Sequence, residues 1–404
     1  MRVERVTTYA DGSPSHGVQR WTPPGGRVET SPGGSRAAQH PGTRAPRRSL
    51  HRPRCVKSCR KIWIRNHQLL ARCHSGLHES PRAARQSLIF SCDMGQLGRD
   101  DTRLSRAVKR GTLVRLKQGV YLDRIVWEPL GSAERHRLLA TIAERLAGPG
   151  LVFSHHTAAA LLGLPVLGRW PDRAHVLHDC AAGGRSTTVL ICHTVGLRGT
   201  PVTTIDTLSI TSPERTVIDL AATLPFDVAV IATDAALHAD RHTRRCLTTI
   251  ADVRALVELM SPFRGLRRVL AVLDASTPLS ESVGESLCRI IIAELGFADP
   301  ELQSEFRDAE GLIGFADFTW LLGKVILEFD GKIKYTDARY RNGLSADQIV
   351  VLEKLREDRL RALGYQVVRA TWELLIDPTR LYRLLRNAGL VPVRPARAIH
   401  RDWL

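Results

Sequence analysis

The chain has 404 residues, of which 43% are hydrophobic and 25% charged, so it is long enough for two or three domains with cores of their own. No run of about eighteen apolar residues occurs, and no apolar segment follows the basic N-terminus. The sequence therefore predicts neither a membrane span nor a secretory signal, and we expect a cytoplasmic protein with no membrane partner.

The net charge of +17 favours a polyanionic partner, but the charge is unevenly distributed. Residues 1–80 hold 15 Lys and Arg against 4 Asp and Glu, which leaves only +6 for the rest of the chain. This segment is rich in Arg, Pro, Gly and Ser and lacks apolar periodicity, so we expect a disordered basic leader. A misplaced gene start is the alternative, with Met94 as one candidate for the true beginning.

The eight cysteines are scattered without regular spacing, which is typical of reduced thiols rather than of a disulfide framework. The leader contains five side chains that bind zinc in other proteins, but their spacing matches no strong zinc template. These side chains are Cys55, Cys59, Cys73, His74 and His78. The sequence therefore disfavours a metal site in the leader.

A winged helix-turn-helix is predicted over residues 81–127. Asp101 stands where it would cap a helix over residues 102–110, which Gly111 ends, and a short hairpin follows with Gly119 at its turn. Cations on this helix and wing would meet DNA phosphates and groove edges. They are Arg103, Arg106, Lys109, Arg110, Arg115 and Lys117. The alternative is a solvated basic helix in a packing module.

Residues 128–277 are predicted to form a middle α/β domain without a catalytic constellation. Helical periodicity and strand-like runs alternate along this segment. The helices are predicted at 132–146, at 154–162 and from Pro213 onward, and the strands at 175–178 and 188–193. The adjacent residues His155 and His156 point in different directions, so a capping or hydrogen-bonded role for one of them is favoured.

The segment 278–391 is predicted to form a small domain in the order αβββαβ, followed by a tail over residues 392–404. Apolar side chains at helical spacing and three short strand-like runs with turns between them indicate this order. The helices are predicted at 282–295 and 348–363, and the strands at 302–306, 315–320, 324–329 and 366–370.

Acidic residues occupy positions inside these apolar strands, where a carboxylate is costly unless something pairs with it. Glu328 and Asp330 share one strand face, and Lys332 would join them if the strand continued. If the strand of Asp317 pairs alongside, three carboxylates and an ammonium group converge in a site that suits Mg²⁺ or Mn²⁺. The alternative is a solvated strand end at the sheet edge.

The C-terminal pattern resembles the Vsr-like branch of the PD-(D/E)xK nuclease superfamily. The resemblance rests on the element order, Asp317, Glu328-x-Asp330-Gly-Lys332, Arg356, Arg359, Leu363-Gly364 and Val368-Arg369. It implies that Asp317 and Glu328 bind the metal, that Glu285 is an auxiliary acid and that Arg359 is a supporting residue. The sequence departs from the strict motif because Asp330 stands where the family has Lys, and the lysine is displaced to Lys332.

The upstream region resembles AbiEi-type antitoxins and related winged-helix regulators. The resemblance lies in Arg106-Ala-Val-Lys-Arg-Gly, Val114-Arg-Leu and Gly119-Val-Tyr, in Ser154-His-His-Thr-Ala-Ala-Ala-Leu-Leu-Gly-Leu, and in Ser212-Pro-Glu-Arg-Thr-Val-Ile-Asp-Leu-Ala. It implies DNA binding in a toxin–antitoxin or phage-defence context, with a cognate toxin or another protein as partner.

Two functions follow from these patterns. The first is a DNA-binding protein with an Mg²⁺-dependent endonuclease domain, in which Asp317 and Glu328 hold the metal while Asp330 and Lys332 assist hydrolysis. The second is a non-enzymatic transcriptional regulator or antitoxin that uses an inactive nuclease fold. The acidic residues favour the first, because a pure DNA binder gains nothing from carboxylates against a phosphate backbone.

Overall fold

The computed structural model is a mixed α/β chain in which helices pack on three β-sheets within the residues described. The description covers residues 84–95, 101–178, 186–193, 199–240, 243–331, 346–397 and 401. The predicted leader up to residue 80, its five potential zinc-binding side chains and Lys332 all lie outside these residues. None of the helices in the described ranges is both long and apolar enough to cross a membrane.

The first part of the described chain contains the predicted helix and hairpin. Its elements are β1 (Ile89–Phe90), α1 (Ser91–Gly95), α2 (Asp101–Lys109), β2 (Leu113–Lys117), β3 (Val120–Asp123) and α3 (Arg124–Trp127). The sheet order is β1-β3-β2, and β2 and β3 pair as an antiparallel hairpin. Gly119 at the hairpin turn has a φ of +72°, which favours glycine. Leu104 of α2 packs with Leu113 and Tyr121, so the helix lies against the hairpin.

A five-stranded sheet follows in the middle of the chain. Its elements are α4 (Ser132–Ala147), β4 (Val152–Phe153), α5 (His155–Leu162), β5 (Ala174–Leu177), β6 (Leu190–His193), β7 (Val202–Ile205) and β8 (Leu208–Thr211). The strand order is β6-β5-β4-β8-β7, which puts β6 at one edge. β5 and β6 are parallel, with His175 opposite Ile191 and Leu177 opposite His193. His175 and His193 therefore lie on the same face of the sheet.

A layer of helices connects this sheet to the C-terminal one. The helices are α6 (Pro213–Thr223), α7 (Phe226–Leu237), α8 (Ile250–Met260), α9 (Leu266–Ala275) and α10 (Val283–Glu294). α7 is buried on nearly all sides, which its apolar sequence favours. Its buried Asp234 accepts hydrogen bonds from the Thr277 amide, Ser286 Oγ and Arg289 Nη2. Through these bonds, Asp234 links α7 to α10 and to Thr277, which lies between α9 and α10.

The C-terminal sheet has four strands in the order β12-β11-β10-β9. Its elements are β9 (Glu301–Asp308), β10 (Gly311–Trp320), β11 (Val325–Asp330), α11 (Ala346–Ala362), β12 (Gln366–Thr371), α12 (Trp372–Ile376) and α13 (Pro378–Asn387). β10 is antiparallel to both of its neighbours, whereas β11 and β12 are parallel. With α10 in front, the order of helices and strands is the αβββαβ order that the sequence predicts.

The two faces of β11 point toward different helices. Leu327 and Phe329 belong to a hydrophobic core that includes Leu287 and Ile291 of α10. Ile326 packs on the other face with Leu360 of α11. Because side chains alternate along a strand, Glu328 lies on the α11 side.

α10 approaches the sheet closely because Gly284 has no side chain. A Cβ at this position would lie 2.0 Å from the Phe329 ring, which is far inside van der Waals contact. Ser282 caps the helix by accepting a hydrogen bond from the Glu285 amide. The first turn of α10 is therefore pressed against β11, and this contact positions Glu285 beside the strand ends.

Candidate functional site

Asp317 lies where β10 and β11 stop pairing. The ladder between the two strands runs from Trp320 opposite Val325 to Phe318 opposite Leu327. At the next position Asp317 Oδ2 accepts a hydrogen bond from the Phe329 amide at 2.9 Å. The carboxylate thus takes a strand amide that a backbone carbonyl would otherwise bind, and it is held at the point where the strands separate.

Glu285 and Asp317 form a pair of acids bridged by Gln303. Gln303 Nε2 lies 3.3 Å from Asp317 Oδ1 and 3.5 Å from Glu285 Oε2. The other donors to Glu285 are the Glu281 amide at 2.9 Å and Ser282 Oγ at 2.8 Å. Gln303 has a φ of +51°, in a region that residues with a Cβ rarely adopt. Gln303 could not be predicted from the sequence, because a lone polar residue in a strand carries no signal of its own.

The electrostatics of this acid pair differ from those of ordinary surface carboxylates. Burial, and then the charge of Asp317, raises the pKa of Glu285 to about 7. The same two acids, together with burial, hold the pKa of the Cys288 thiol well above its usual value. Glu285 is therefore partly protonated at neutral pH, as a carboxyl group is when a second carboxylate lies close to it in a dry site.

Glu328 has cationic partners on the α11 side of the sheet. Its Oε1 accepts a hydrogen bond from Arg356 Nη1 at 2.5 Å, and its Oε2 lies 3.9 Å from Arg369 Nη2. Arg369 also binds Glu353 at 2.7 Å and Glu357 at 3.0 Å. Glu328 is thus part of a network in which carboxylates and guanidinium groups alternate.

The structure does not bring the three predicted metal ligands together as one group. Among the residues with described positions, Asp317, Glu328 and Asp330 do not form a set of ligand atoms within 4.8 Å of one another. Asp330 is half-buried at the end of β11, opposite Thr371, and Lys332 lies outside the described residues. The acids that the structure does bring together are Asp317 and Glu285.

Arg359 joins α11 to the turn between β9 and β10. Its Nε and Nη2 donate to the two oxygens of Asp308 at 2.7 and 2.5 Å, and Nη2 lies 3.3 Å from the Gly311 carbonyl. This fork-to-carboxylate geometry fixes the position of a hairpin that carries Asp317 further along. The described contacts of Arg359 are thus with the β9–β10 turn and not with Glu285 or Asp317.

Most of the predicted DNA-binding cations are exposed on α2 and the hairpin. The exposed residues are Arg103, Arg106, Lys109, Arg110 and Arg115. Lys117 is half-buried, and its Nζ donates to the carbonyls of Asp172 at 2.7 Å and Thr188 at 3.3 Å. The contacts of Lys117 therefore join the hairpin to the middle sheet.

A second polar cluster, which the sequence analysis did not predict, consists of imidazole rings in the middle sheet. The ring of His155 stacks on that of His193, with centroids 3.6 Å and planes 11° apart. Nε2 of His193 lies 3.0 Å from Nδ1 of His175, so one ring donates to the other. One ring nitrogen from each of the three residues lies within 4.8 Å of the other two. His156 is adjacent, with its ring centroid 4.9 Å from that of His175.

Burial and mutual proximity keep these rings neutral at pH 7. Burial, followed by the nearby imidazoles, lowers the pKa of His175 to about 2 and that of His156 to about 4. Burial also lowers the pKa of His193, and burial with the neighbouring rings lowers that of His155 further. The adjacent histidines His155 and His156 were noticed in the sequence, but their partners lie on β5 and β6, and only the folded sheet brings them together.

Comparisons with known proteins give little functional information. No protein-family model matches the chain. Two uncharacterized proteins of Mycobacterium tuberculosis, from strains CDC 1551 / Oshkosh and ATCC 25618 / H37Rv, are each 26% identical to it over 304 residues. Each match covers 74% of this chain and 97% of the relative. The chain is thus similar to nearly the whole length of both relatives, and as uncharacterized proteins they suggest no activity for it.

Proposed function

We propose that the chain is a cytoplasmic DNA-binding protein whose C-terminal region hydrolyses DNA phosphodiester bonds with Mg²⁺ or Mn²⁺. The observation that carries the proposal is the acid pair of the buried Glu285 and the half-buried Asp317, with Gln303 between them. Two nearby carboxylates, one of them buried, repel each other unless a proton or a cation lies between them. Acids perturbed in this way are concentrated at functional sites.

The side chains at the acid pair fit a hard divalent cation. Asp317 and Glu285 offer carboxylate oxygens, which are the ligands that Mg²⁺ and Mn²⁺ prefer. Such a cation polarises a phosphodiester oxygen. Asp317 is oriented for this task by the Phe329 amide, and Glu285 is oriented by the Glu281 amide and Ser282 Oγ.

In the metal-free chain, burial and the charge of Asp317 raise the pKa of Glu285 to about 7. A divalent cation held by the acid pair would lower this pKa, so Glu285 would serve as an ionised ligand of the metal. Glu328 is the third proposed ligand, but it must give up Arg356 before it can bind a cation. We therefore expect Glu328 to contribute less than Asp317. Asp330 and Lys332 are the proposed assisting residues.

DNA is recognised, in this proposal, by a winged helix made of α2 and the β2–β3 hairpin. Four exposed cations on these elements and Arg110, directly after α2, neutralise phosphates, so DNA affinity should fall as the salt concentration rises. The upstream resemblance suggests a toxin–antitoxin or phage-defence setting, in which a cognate toxin is a second partner.

The test of the acid pair compares DNA cleavage by the full chain and by Asp317→Asn in Mg²⁺ and in Mn²⁺. The substitution keeps the shape of the side chain and removes its charge, so we expect cleavage to fall at least about 100-fold. Glu310→Gln is the matched control, because Glu310 is an exposed carboxylate on the β9–β10 turn and should leave the rate unchanged. Cleavage by Asp317→Asn at the wild-type rate would overturn the proposal.

The second candidate is a non-enzymatic regulator or antitoxin. The observation that favours it is the ion pair between Glu328 and Arg356, which already neutralises an acid that a nuclease would use for metal binding. A wild-type chain that binds DNA but cleaves none with either cation would establish this second function. In both cases Arg103→Ala combined with Arg106→Ala should weaken DNA binding.

A further inference from the structure

The histidine cluster is a group of metal-ligating side chains that the proposed nuclease reaction does not use. Its three rings come from three different elements: His155 from the start of α5, His175 from β5 and His193 from the edge strand β6. Their nearest ring nitrogens converge within 4.8 Å. His155 and His175 are buried, and His193 is half-buried, so the cluster has one side near solvent.

We propose that His155, His175 and His193 form a binding site for a divalent transition-metal cation, with Zn²⁺ as the expected occupant. Three imidazole nitrogens without a carboxylate form a donor set that suits Zn²⁺ and other divalent first-row transition metals. Mg²⁺ prefers oxygen ligands instead. This site is independent of the acid pair in both residues and ligand type.

The spacing of the nitrogens suits such an ion. His193 Nε2 and His175 Nδ1 are 3.0 Å apart, where a single proton now joins them. Two nitrogens on one tetrahedral Zn²⁺, each at about 2.1 Å from the metal, lie about 3.4 Å apart. A cation can therefore replace the proton between these two nitrogens with a change of a few tenths of an ångström in their separation. The His155 ring stacks on His193, so it must turn out of the stack before its lone pair points at the same ion.

A buried carboxylate oxygen lies behind His155 on the Nδ1 side of the ring, as expected for a ligand that binds through Nε2. His155 Nδ1 lies 3.0 Å from Ser154 Oγ and 3.8 Å from Asp219 Oδ2. Asp219 Oδ2 is buried without a hydrogen bond, although Oδ1 accepts one from Arg215 Nε. A metal on Nε2 fixes the proton on Nδ1, which then faces Ser154 and the carboxylate. Carboxylates behind metal-bound histidines orient ligands in this way in other proteins.

Three protein ligands leave a fourth tetrahedral position, which we assign to water. His156 is outside the set of converging nitrogens, and its buried Nδ1 has no hydrogen-bond partner. It borders the cluster through His175, so it lines the space next to the metal rather than binding it.

The experiment measures Co²⁺ and Zn²⁺ binding to the metal-free full chain by calorimetry and visible absorption. We expect the wild type to bind one ion at this site. With Co²⁺, its visible absorption should be that of an ion bound by nitrogen and oxygen ligands. His193→Ala should lower the affinity at least about tenfold, since it removes one of three ligands. His193→Cys should keep binding and add an intense thiolate-to-cobalt band, which shows that residue 193 touches the metal.

Two controls separate this site from others. His238→Ala removes a histidine that contacts the Pro278 carbonyl and should not change the affinity. A combined Cys55→Ser, Cys59→Ser and Cys73→Ser variant should keep the site and its spectrum. The proposal is overturned if the wild type binds neither ion, if His193→Ala binds as tightly as the wild type, or if the leader variant loses all binding.

Discussion

The C-terminal sheet carries acidic side chains on both faces, and their surroundings differ. On the α10 side, the buried Glu285 and the half-buried Asp317 share Gln303 as a donor, and burial together with the charge of Asp317 raises the pKa of Glu285. On the α11 side, Glu328 is bound by Arg356 and approached by Arg369. In the contacts that the structure describes, Glu285 and Asp317 are bound by amide and hydroxyl donors, whereas Glu328 is bound by guanidinium groups.

This difference shows that an acid inside an apolar strand does not by itself define a metal site. Among the described contacts, Glu328 has guanidinium partners from α11 and β12, which come later in the chain. A carboxylate that already has an arginine gains little from a divalent ion, whereas two carboxylates that share a donor gain much. We therefore expect metal dependence to reside mainly in Glu285 and Asp317.

The largest expected effect tests the close contact that presses α10 onto the sheet. Gly284→Ala places a Cβ 2.0 Å from the Phe329 ring, so the helix must move outward or the ring must leave its rotamer. Overpacking of this kind costs about 3 kcal/mol in unfolding free energy. Denaturant unfolding measures the loss, and metal affinity should fall with it because Glu285 moves with the helix.

Gly331→Ala is the matched control for this substitution. Its Cβ would meet the same Phe329 ring at 3.3 Å, which requires only a small adjustment. We expect Gly331→Ala to lower the unfolding free energy by much less than Gly284→Ala does. Equal losses in the two variants would mean that the approach of α10 is not what positions Glu285.

Much of the fold could be predicted from the sequence, but the partners of the key side chains could not. The periodicity around residues 283–294 and the alternation in β10 and β11 indicate the elements and single out Asp317 and Glu328. Alternation also predicts that Glu328 leaves the face of Leu327. It cannot show that Arg356 binds Glu328, because this contact joins elements 28 residues apart. Gln303 and the convergence of His155 with His193 were missed for the same reason.

The second prediction uses the pH dependence of the acid pair. The pKa of Glu285 is raised from 4.5 to about 7 in the folded chain, so the folded state holds its proton longer than the unfolded state does. Stability from this group is present below pH 4.5 and is lost as the pH rises through 7. Glu285→Gln has no group to ionise at this position, so its unfolding free energy should not fall as the pH rises. The variant should therefore be more stable than the wild type at pH 8 by on the order of 2 kcal/mol.

Thermal unfolding across this pH range checks the prediction, and the gap between the two proteins should close near pH 4.5. Added Mg²⁺ should narrow the gap at pH 8, because a cation relieves the repulsion only where both carboxylates are present. Glu310→Gln, at the exposed turn, should follow the wild type at every pH. A Glu285→Gln variant that is less stable at pH 8 would contradict a repulsive pair.

The smallest expected effect belongs to the α11 face and has the opposite pH dependence. Burial alone would raise the pKa of Glu357, but hydrogen bonds from Arg369 and Arg361 lower it overall. Stability from this network is therefore present above the usual carboxyl pKa and is lost as the pH falls through the lowered value. Arg369→Met should cost about 1 kcal/mol near pH 7, and the cost should vanish in strong acid.

Arg361→Met is the matched control on this face, because Arg361 contacts the same Glu357 from a more exposed position. We expect it to cost about 0.3 kcal/mol, as exposed pairs one helical turn apart do. If Arg369→Met costs the same at both pH extremes, its contribution is packing rather than charge. The neutralisation of Glu328 would then rest on Arg356 alone, and Arg369 would no longer contribute to the contrast between the two faces.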